Sequence, residues 1–474
     1  MTNRLLGCAA VAILAASLGC GKAEPPKPKF QMGKDTTFIT KPLDADGYLD
    51  FETALNERLR GKITPETNAV VLLWQAMGPK PFGKEMHADF YKWLGTKPPP
   101  EKGEYFQDTD DTDIAEWLKR NEKPLALVVQ ATQRKEYFNP LVSRTPKGER
   151  GSLLGALLHG VQKSRKFADA LVKRAVIRTD AGQFDEAWQD LIAVHRLARL
   201  TSRGGCTLEL LAGIAIDATA TKADLVFLET SKPNAKQVLQ YLKELQELPP
   251  MSSAADKIDK SERFSFLDAM QAIRRNGLDS ISRIGKDKEN DDVEKPDEET
   301  DKALALFDWP MIFGIGNQNY DNLDKALRLP TYDERRKAAL LVEANVQKLR
   351  NKLNGGFGFA NRQDMSERIG ILGIGLLMPA ACKINRAAGQ SEQSHQNLQL
   401  AFALAAYRAD NGKYPATLDA LAPKYLAKIP SDLFNDKSLI YKPNATGYLL
   451  YSVGENGKDD DGADDDITVR MPNP

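Results

Sequence analysis

Apolar residues recur at helical spacing through most of the chain from Asp50 to Asn411. Val70, Val71, Leu73, Trp74 and Met77 form one apolar face, Phe90, Tyr91 and Leu94 a second, and Ile114, Trp117 and Leu118 a third. Thr64-Pro65 predicts a helix start, with Thr as N-cap and Pro at the first helical position. Asp108 to Asp113 is acidic and predicts the loop before the third face. Asp44-Ala45-Asp46-Gly47-Tyr48-Leu49-Asp50 has the look of a calcium loop. An EF-hand register would put Pro42 first and Thr53 last, so the segment is read as a turn into a helix at Phe51.

The clearest helical pair is Leu153 to Asp180 followed by Phe184 to Arg203. Its junction, Gly182-Gln183-Phe184-Asp185-Glu186-Ala187-Trp188, resembles the inner turn of a tetratricopeptide repeat. Only one such unit is present, so a repeat array is not shown and a plain antiparallel hairpin is the preferred reading. Leu208 to Leu228 has few charges and predicts a core helix. Asp217 and Asp224 interrupt its apolar surface; they are either satisfied structural carboxylates or the lining of a pocket. Ala235 to Leu248 predicts another helix, ended by Pro249-Pro250. Asp287 to Asp301 holds nine acidic residues against Lys288 and Lys295, which predicts a solvated loop. Helical pattern resumes near Ala303 and again from Tyr332 to Leu353, closed by Gly355-Gly356. Ile369 to Ala381 is apolar but short for a membrane span. It continues as a helix through Asn385, Leu398, Leu400, Leu404 and Tyr407.

After Asn411 the period changes. Gly412 caps the long helix, and Leu418, Leu421 and Tyr425 suggest a short second one. Leu439-Ile440-Tyr441 and Tyr448-Leu449-Leu450-Tyr451 read as paired strands around Asn444-Ala445-Thr446-Gly447. Ile467-Thr468-Val469 adds a last strand. Between them lies Gly457-Lys458-Asp459-Asp460-Asp461-Gly462-Ala463-Asp464-Asp465-Asp466, with six aspartates in eight positions.

The chain has 474 residues, enough to bury a large core in two or three domains. Its 65 basic and 65 acidic residues cancel, which gives no global case for nucleic acid as a partner. Met1 to Gly19 carries Arg4 and an apolar stretch from Leu5 to Leu18, the pattern of a secretory signal. Ser17-Leu18-Gly19-Cys20 resembles a bacterial lipobox, with Ser17 where Leu is usual. The resemblance implies a lipid on Cys20 and membrane anchoring. Pro25, Pro26 and Pro28 among lysines then form an extended stalk. Of the four cysteines, Cys8 is lost with the signal, and Cys206 and Cys382 remain as buried thiols or as a disulfide.

The run Leu404-Ala405-Ala406-Tyr407-Arg408-Ala409-Asp410-Asn411-Gly412-Lys413-Tyr414-Pro415, with the short strands and the Asp-rich loop beyond it, resembles the C-terminal half of type II secretion major pseudopilins. Pro430-Ser431-Asp432-Leu433-Phe434 is similar to a turn of that family, with Leu433 in place of a proline. Ser452-Val453-Gly454-Glu455-Asn456-Gly457 is similar to a second motif, with Asn456 in place of Asp. The resemblance implies a calcium site, with Asp464 and Asp466 as the best side-chain ligands. Asp459 and Asp461 come next, and carbonyl groups near Ser452 contribute. The family starts with its long helix after a cleavage site. Here that helix is internal and lacks the site, so processing and polymerisation are not expected. Thr64 to Pro79 and Asp185 to Leu197 also resemble segments of uncharacterised planctomycete lipoproteins.

Catalytic signatures are missing. No Walker A, G-x-S-x-G, HExxH or dinucleotide fingerprint occurs. His195 and Asp190 are a conceivable pair, but five residues apart on a helix they face each other poorly. The expected fold is mainly α: an all-helical body, of plain or tetratricopeptide-like hairpins, then a small α+β pseudopilin-like module. The expected boundaries are 1–19 for the signal, 20–45 for the lipidated cysteine and linker, 46–365 for the helical domain with its acidic loop 286–302, and 366–474 for the module. The expected role is non-catalytic: an envelope lipoprotein that scaffolds or binds a protein partner. An accessory part of a type II secretion-like apparatus and an unrecognised envelope hydrolase are the alternatives.

Overall fold

The computed structural model describes residues 26–81, 86–107, 113–143, 153, 161–277, 297–353, 361–378 and 381–472. The signal segment and Cys20 lie outside the described residues, as does most of the acidic stretch 286–302. The described chain is mainly helical, with one small antiparallel sheet near its C-terminus.

Helix α1 (Phe51–Arg60) begins where the turn predicts, and the Asp50 carboxylate caps it by accepting from Thr53 N–H at 3.1 Å. Helix α2 (Ala69–Met77) starts four residues later than Thr64-Pro65 suggests. Asn68 is the true cap. Its buried side chain accepts from Val70 N–H at 3.1 Å and Phe138 N–H at 2.9 Å, and donates to the Phe138 carbonyl at 2.8 Å. A tertiary strap therefore selects Asn68 over Thr64. Helices α3 (Ala88–Leu94) and α4 (Ile114–Thr132) complete this corner, and α4 packs along α2.

The centre of the molecule is a stack of α5 (Val161–Asp180), α6 (Phe184–Ser202) and α7 (Thr207–Ser231). Gly182, at φ +75°, turns α5 into α6. Helix α6 is buried on almost every side. Helix α8 (Ala235–Gln246) comes next, opened by a reciprocal capping box between Asn234 and Gln237. A short helix α9 (Ala254–Lys257) runs through a π-turn, Ile258–Glu262, into α10 (Arg263–Asn276).

The end of the acidic stretch is helical rather than a loop. Asp297 caps α11 (Glu298–Ala305), whose first turn holds Glu298, Glu299 and Asp301. Carboxylates there oppose the positive end of the helix dipole. Helices α12 (Trp309–Leu327), α13 (Tyr332–Lys352) and α14 (Arg362–Leu377) pack together as a bundle. The N-terminal arm lies on α12: the Phe30 ring meets Phe313 edge-on at 4.9 Å and Trp309 at 5.8 Å.

By length and composition alone, the stretch Arg362–Asn411 could cross a membrane. In the fold it is two helices. Helix α14 ends at Leu377, with Met378 extended, and α15 (Ala381–Asn411) begins beyond it. Ile371, Ile374, Leu398, Leu400 and Phe402 are buried inside the protein.

Strands β1 (Ile440–Pro443), β2 (Tyr448–Ser452) and β3 (Ile467–Met471) form an antiparallel sheet in that order. Ile440 pairs with Tyr451, and Tyr451 with Thr468. The hairpin turn is held by Asn444, whose carbonyl Oδ1 accepts from Gly447 N–H at 2.7 Å. Helix α15 joins two cores. Ile384 belongs to the core of α10 and α12–α14. Leu398 to Ala406 belong to a core shared by Trp188, Tyr241 and the sheet residues Tyr448, Leu450 and Val469. The C-terminal sheet is thus packed into the same apolar cluster as α6 and α8.

Candidate functional site

Two groups of ionisable side chains stand out. The first lies between α6, α7 and α15. His195 and Arg199 are four residues apart on α6, so they share one face. Asp217 and Asp224 are seven apart on α7 and also share a face. Gly213 lets these faces meet, because a Cβ there would stand 2.6 Å from the Ala198 carbonyl oxygen. His195 Nδ1 lies 2.6 Å from Asp217 Oδ1, and its Nε2 lies 2.8 Å from Asp224 Oδ2. Arg199 also pairs with Asp217, and its Nη2 donates to His395 Nδ1 at 3.2 Å. The guanidinium Nε reaches the Pro249 carbonyl at 3.3 Å.

Charge in this group is set by pairing against burial. Burial opposes a charged His195 ring, but Asp224 and Asp217 outweigh it and push the group up to about 9. The ring is therefore an imidazolium at neutral pH and donates from both nitrogens. Burial works against the Asp217 charge, yet His195 and Arg199 hold that carboxyl well below the usual range. Asp224 is raised by burial, which His195 offsets only in part. His395 is pushed down to about 4 by burial and by Arg199.

Chemically the group is closed. His195 and Asp224 have no solvent exposure, and both ring nitrogens are taken. In this arrangement the ring acts as a clamp that ties α6 to α7. Asp190, the nearer candidate in sequence, instead accepts from Arg174 at 2.5 and 2.8 Å and from Arg178 at 2.6 Å, both on α5. Of the two readings of Asp217 and Asp224, the structural carboxylate describes Asp217, which His195 and Arg199 both engage, whereas Asp224 binds His195 through Oδ2 and keeps a buried Oδ1 without a hydrogen-bond partner among the described residues. Cys206 and Cys382 are both free.

The second group is the β2–β3 loop. Gly454, Gly457 and Gly462 have positive φ, as do Asp461 and Asp464. Asp466 Oδ2 accepts from Gly462 N–H at 2.8 Å and Asp460 N–H at 3.2 Å. Asp465 Oδ2 accepts from Asn456 N–H at 2.9 Å. Asp459 takes the Tyr451 hydroxyl at 2.7 Å, and Asp461 pairs with Lys442 at 2.7 Å. Asp464 is exposed. Ser452 is buried, and its hydroxyl donates to Asp432 Oδ1 at 2.9 Å. The loop thus holds Asp459, Asp461 and Asp466 each on a different partner, with Asp464 exposed.

Among the described residues, no three His, Cys, Asp or Glu side chains converge as a ready-made metal cage. The loop does hold two buried carboxylate oxygens without a hydrogen-bond partner, Asp465 Oδ1 and Asp466 Oδ1. Burial, with Asp460 and Asp459 nearby, raises the Asp466 carboxyl. Unsatisfied, crowded oxygen donors are the chemistry a hard cation takes. The sequence reading missed Asp465 because the family pattern points to its neighbours.

Comparison of the chain with family models, curated proteins and solved structures returned no match.

Proposed function

We propose that the protein is a non-catalytic scaffold or binding protein of the bacterial envelope, held on a membrane by a lipid at Cys20. Its C-terminal α+β module is stabilised by calcium at the β2–β3 loop, through Asp464 and Asp466 with Asp459, Asp461 and carbonyls near Ser452. Its counterpart is a protein partner at the membrane surface.

The observation that carries this reading is the docking of Phe30. About ten residues separate it from Cys20, and an extended chain spans at most ~3.6 Å per residue. A lipid at Cys20 would therefore keep the α12 face within about 35 Å of the bilayer. Such a short tether suits a protein that works at the surface rather than one that roams. The sealed state of the His195 group supports a non-catalytic role, because this buried ionisable cluster ties two helices together and presents no exposed ring.

The test is fractionation of cells expressing wild-type protein and Cys20→Ser. Wild type is expected with the membranes and with a lipid mass on its N-terminal peptide, and the variant in the soluble fraction. A wild-type protein that is already soluble and lacks the lipid mass overturns the reading.

A further inference from the structure

Helix α15 carries a wholly polar run in its middle, between segments that dock in two different apolar cores. Residues Gln390 to Asn397 include no apolar side chain, yet Gln393 and Asn397 are fully buried. Before this run, α15 packs on α13, where the Tyr332 ring lies against Gly389 and Arg335 Nε donates to Asn385 at 3.3 Å. After it, Leu398 to Ala406 sit in the core shared with α6, α8 and the sheet. The run is the joint between these two parts.

Polar bonds hold the joint. Gln393 donates to Asn397 at 2.8 Å and accepts from Leu433 N–H at 2.7 Å. Asn397 donates to the Ile467 carbonyl at 2.7 Å. His395, part-buried, accepts from Arg199 Nη2 at 3.2 Å. An arginine has no lone pair to offer, so it can only donate, and His395 Nδ1 must be bare to receive it. A proton on that nitrogen removes the bond and sets two cations side by side.

The groups facing His395 leave the added charge little relief. From α6 come the Arg199 guanidinium and the His195 imidazolium, both positive. From α7 comes Asp217, already engaged by His195 and Arg199. From α8 comes the Leu245 carbonyl. On α15 itself Glu392 is exposed.

We propose that the polar middle of α15 is an acid-sensitive joint: protonation of His395 breaks its bond from Arg199 and loosens α15 from α6 and α7, while the segments around Ile384 and from Leu398 to Ala406 stay docked in their cores. The low proton affinity of folded His395, pushed down to about 4, has the sign this requires. A group depressed in the closed state and normal in the open one favours opening as pH falls below the open-state value. His195 works the other way. Its raised proton affinity strengthens the α6–α7 clamp over the same acid range, so loosening should be local.

The experiment is hydrogen exchange on the full chain, read by mass spectrometry and corrected for intrinsic rates. Protection of the segment spanning Gln390 to Asn397 should fall on the order of tenfold or more between about pH 7.5 and about pH 5, as linkage for one depressed histidine requires. Protection of α7 around Asp217 should hold over that range. His395→Gln keeps an acceptor for Arg199 and cannot titrate, so its joint should stay protected in acid. Unchanged wild-type protection overturns the proposal, as does an equal loss in α7, or an acid loss in His395→Gln that matches wild type. If His395→Gln does not fold, the wild-type comparison of α15 with α7 still decides.

Discussion

His195 Nδ1 and Asp217 Oδ1 stand 2.6 Å apart where neither side chain meets more than a trace of solvent. With Asp224 on the other ring nitrogen at 2.8 Å, one imidazole fastens α6 to α7 at two points. Buried pairs of this kind add little stability compared with an apolar core, but they are costly to break. The difference fixes what substitution should do.

His195→Ala leaves Asp217 and Asp224 facing each other without their shared cation. Breaking a buried pair from one side costs about 3–5 kcal/mol. Arg199 still neutralises Asp217, so the loss should fall at the lower end. Urea unfolding of the two proteins measures it, and a difference under about 1 kcal/mol, the range of exposed pairs, would show that the clamp carries no weight.

The same ring sets a pH dependence. Its folded value, about 9, lies above its ordinary one, so its stabilisation is complete below the ordinary histidine range. It is lost as pH rises through about 9. Lys257, pushed down to about 8 by burial, gains stabilisation over the alkaline range and masks part of this loss. The quantity to follow is therefore wild type minus His195→Ala. That difference should shrink steadily from about pH 7 to about pH 10.

Gly213 is the position on which the clamp geometry depends. A methyl group there would press on the Ala198 carbonyl and on Ser202 of the facing helix. Gly213→Ala should force α6 and α7 apart and cost about 1–3 kcal/mol, despite the better helix propensity of alanine. A stabilised variant in thermal melting would mean that the helices have room to spare.

Much of this was legible in the sequence. The helical hairpin around Gly182, the core helix carrying Asp217 and Asp224, and the three strands all stand where the hydrophobic pattern puts them. Local pattern could not name partners. His195 meets carboxylates 22 and 29 residues away on the next helix, while Asp190 on its own helix goes to α5. The i, i+4 spacing of His195 with Arg199 and the i, i+7 spacing of the two aspartates were visible, but only packing shows that these faces meet. Asn68 illustrates the same limit. Thr64-Pro65 offers the favoured Pro at the first helical position, and a strap to Phe138, 70 residues on, decides for Asn68.

Asp432 should matter more than its exposed neighbours in the C-terminal module. It is buried and accepts from Phe434 N–H, Ser452 Oγ and Val453 N–H, each at 2.9 Å. Asp432→Ala strands Ser452 Oγ and Val453 N–H at the end of β2, and each buried donor left unpaired costs about 1–3 kcal/mol. The variant should lose protection across the sheet in hydrogen exchange before α5 and α6 do. Uniform protection in the variant would show that the turn is held by other contacts.

The calcium reading makes a prediction in which the fold dictates the material to be used. Leu398 to Ala406 and the sheet pack against Trp188 and Tyr241, so a fragment beginning near Ile369 would expose that core. The full chain is the proper sample. A ligand bound only to the folded state stabilises it by RT ln(1 + [L]/Kd), about 2.7 kcal/mol at a hundred times Kd. The transition that includes the sheet should therefore move up with calcium relative to chelator. Magnesium should do less, because it holds its water and demands octahedral geometry. Asp464→Ala/Asp466→Ala should remove the gain. Asp465→Ala should also weaken it if the buried Asp465 Oδ1 joins the ligand set, since that oxygen has no hydrogen-bond partner among the described residues. Superimposable melts with calcium and with chelator would leave the loop held by its own hydrogen bonds and by Lys442, as solvated charge without a metal.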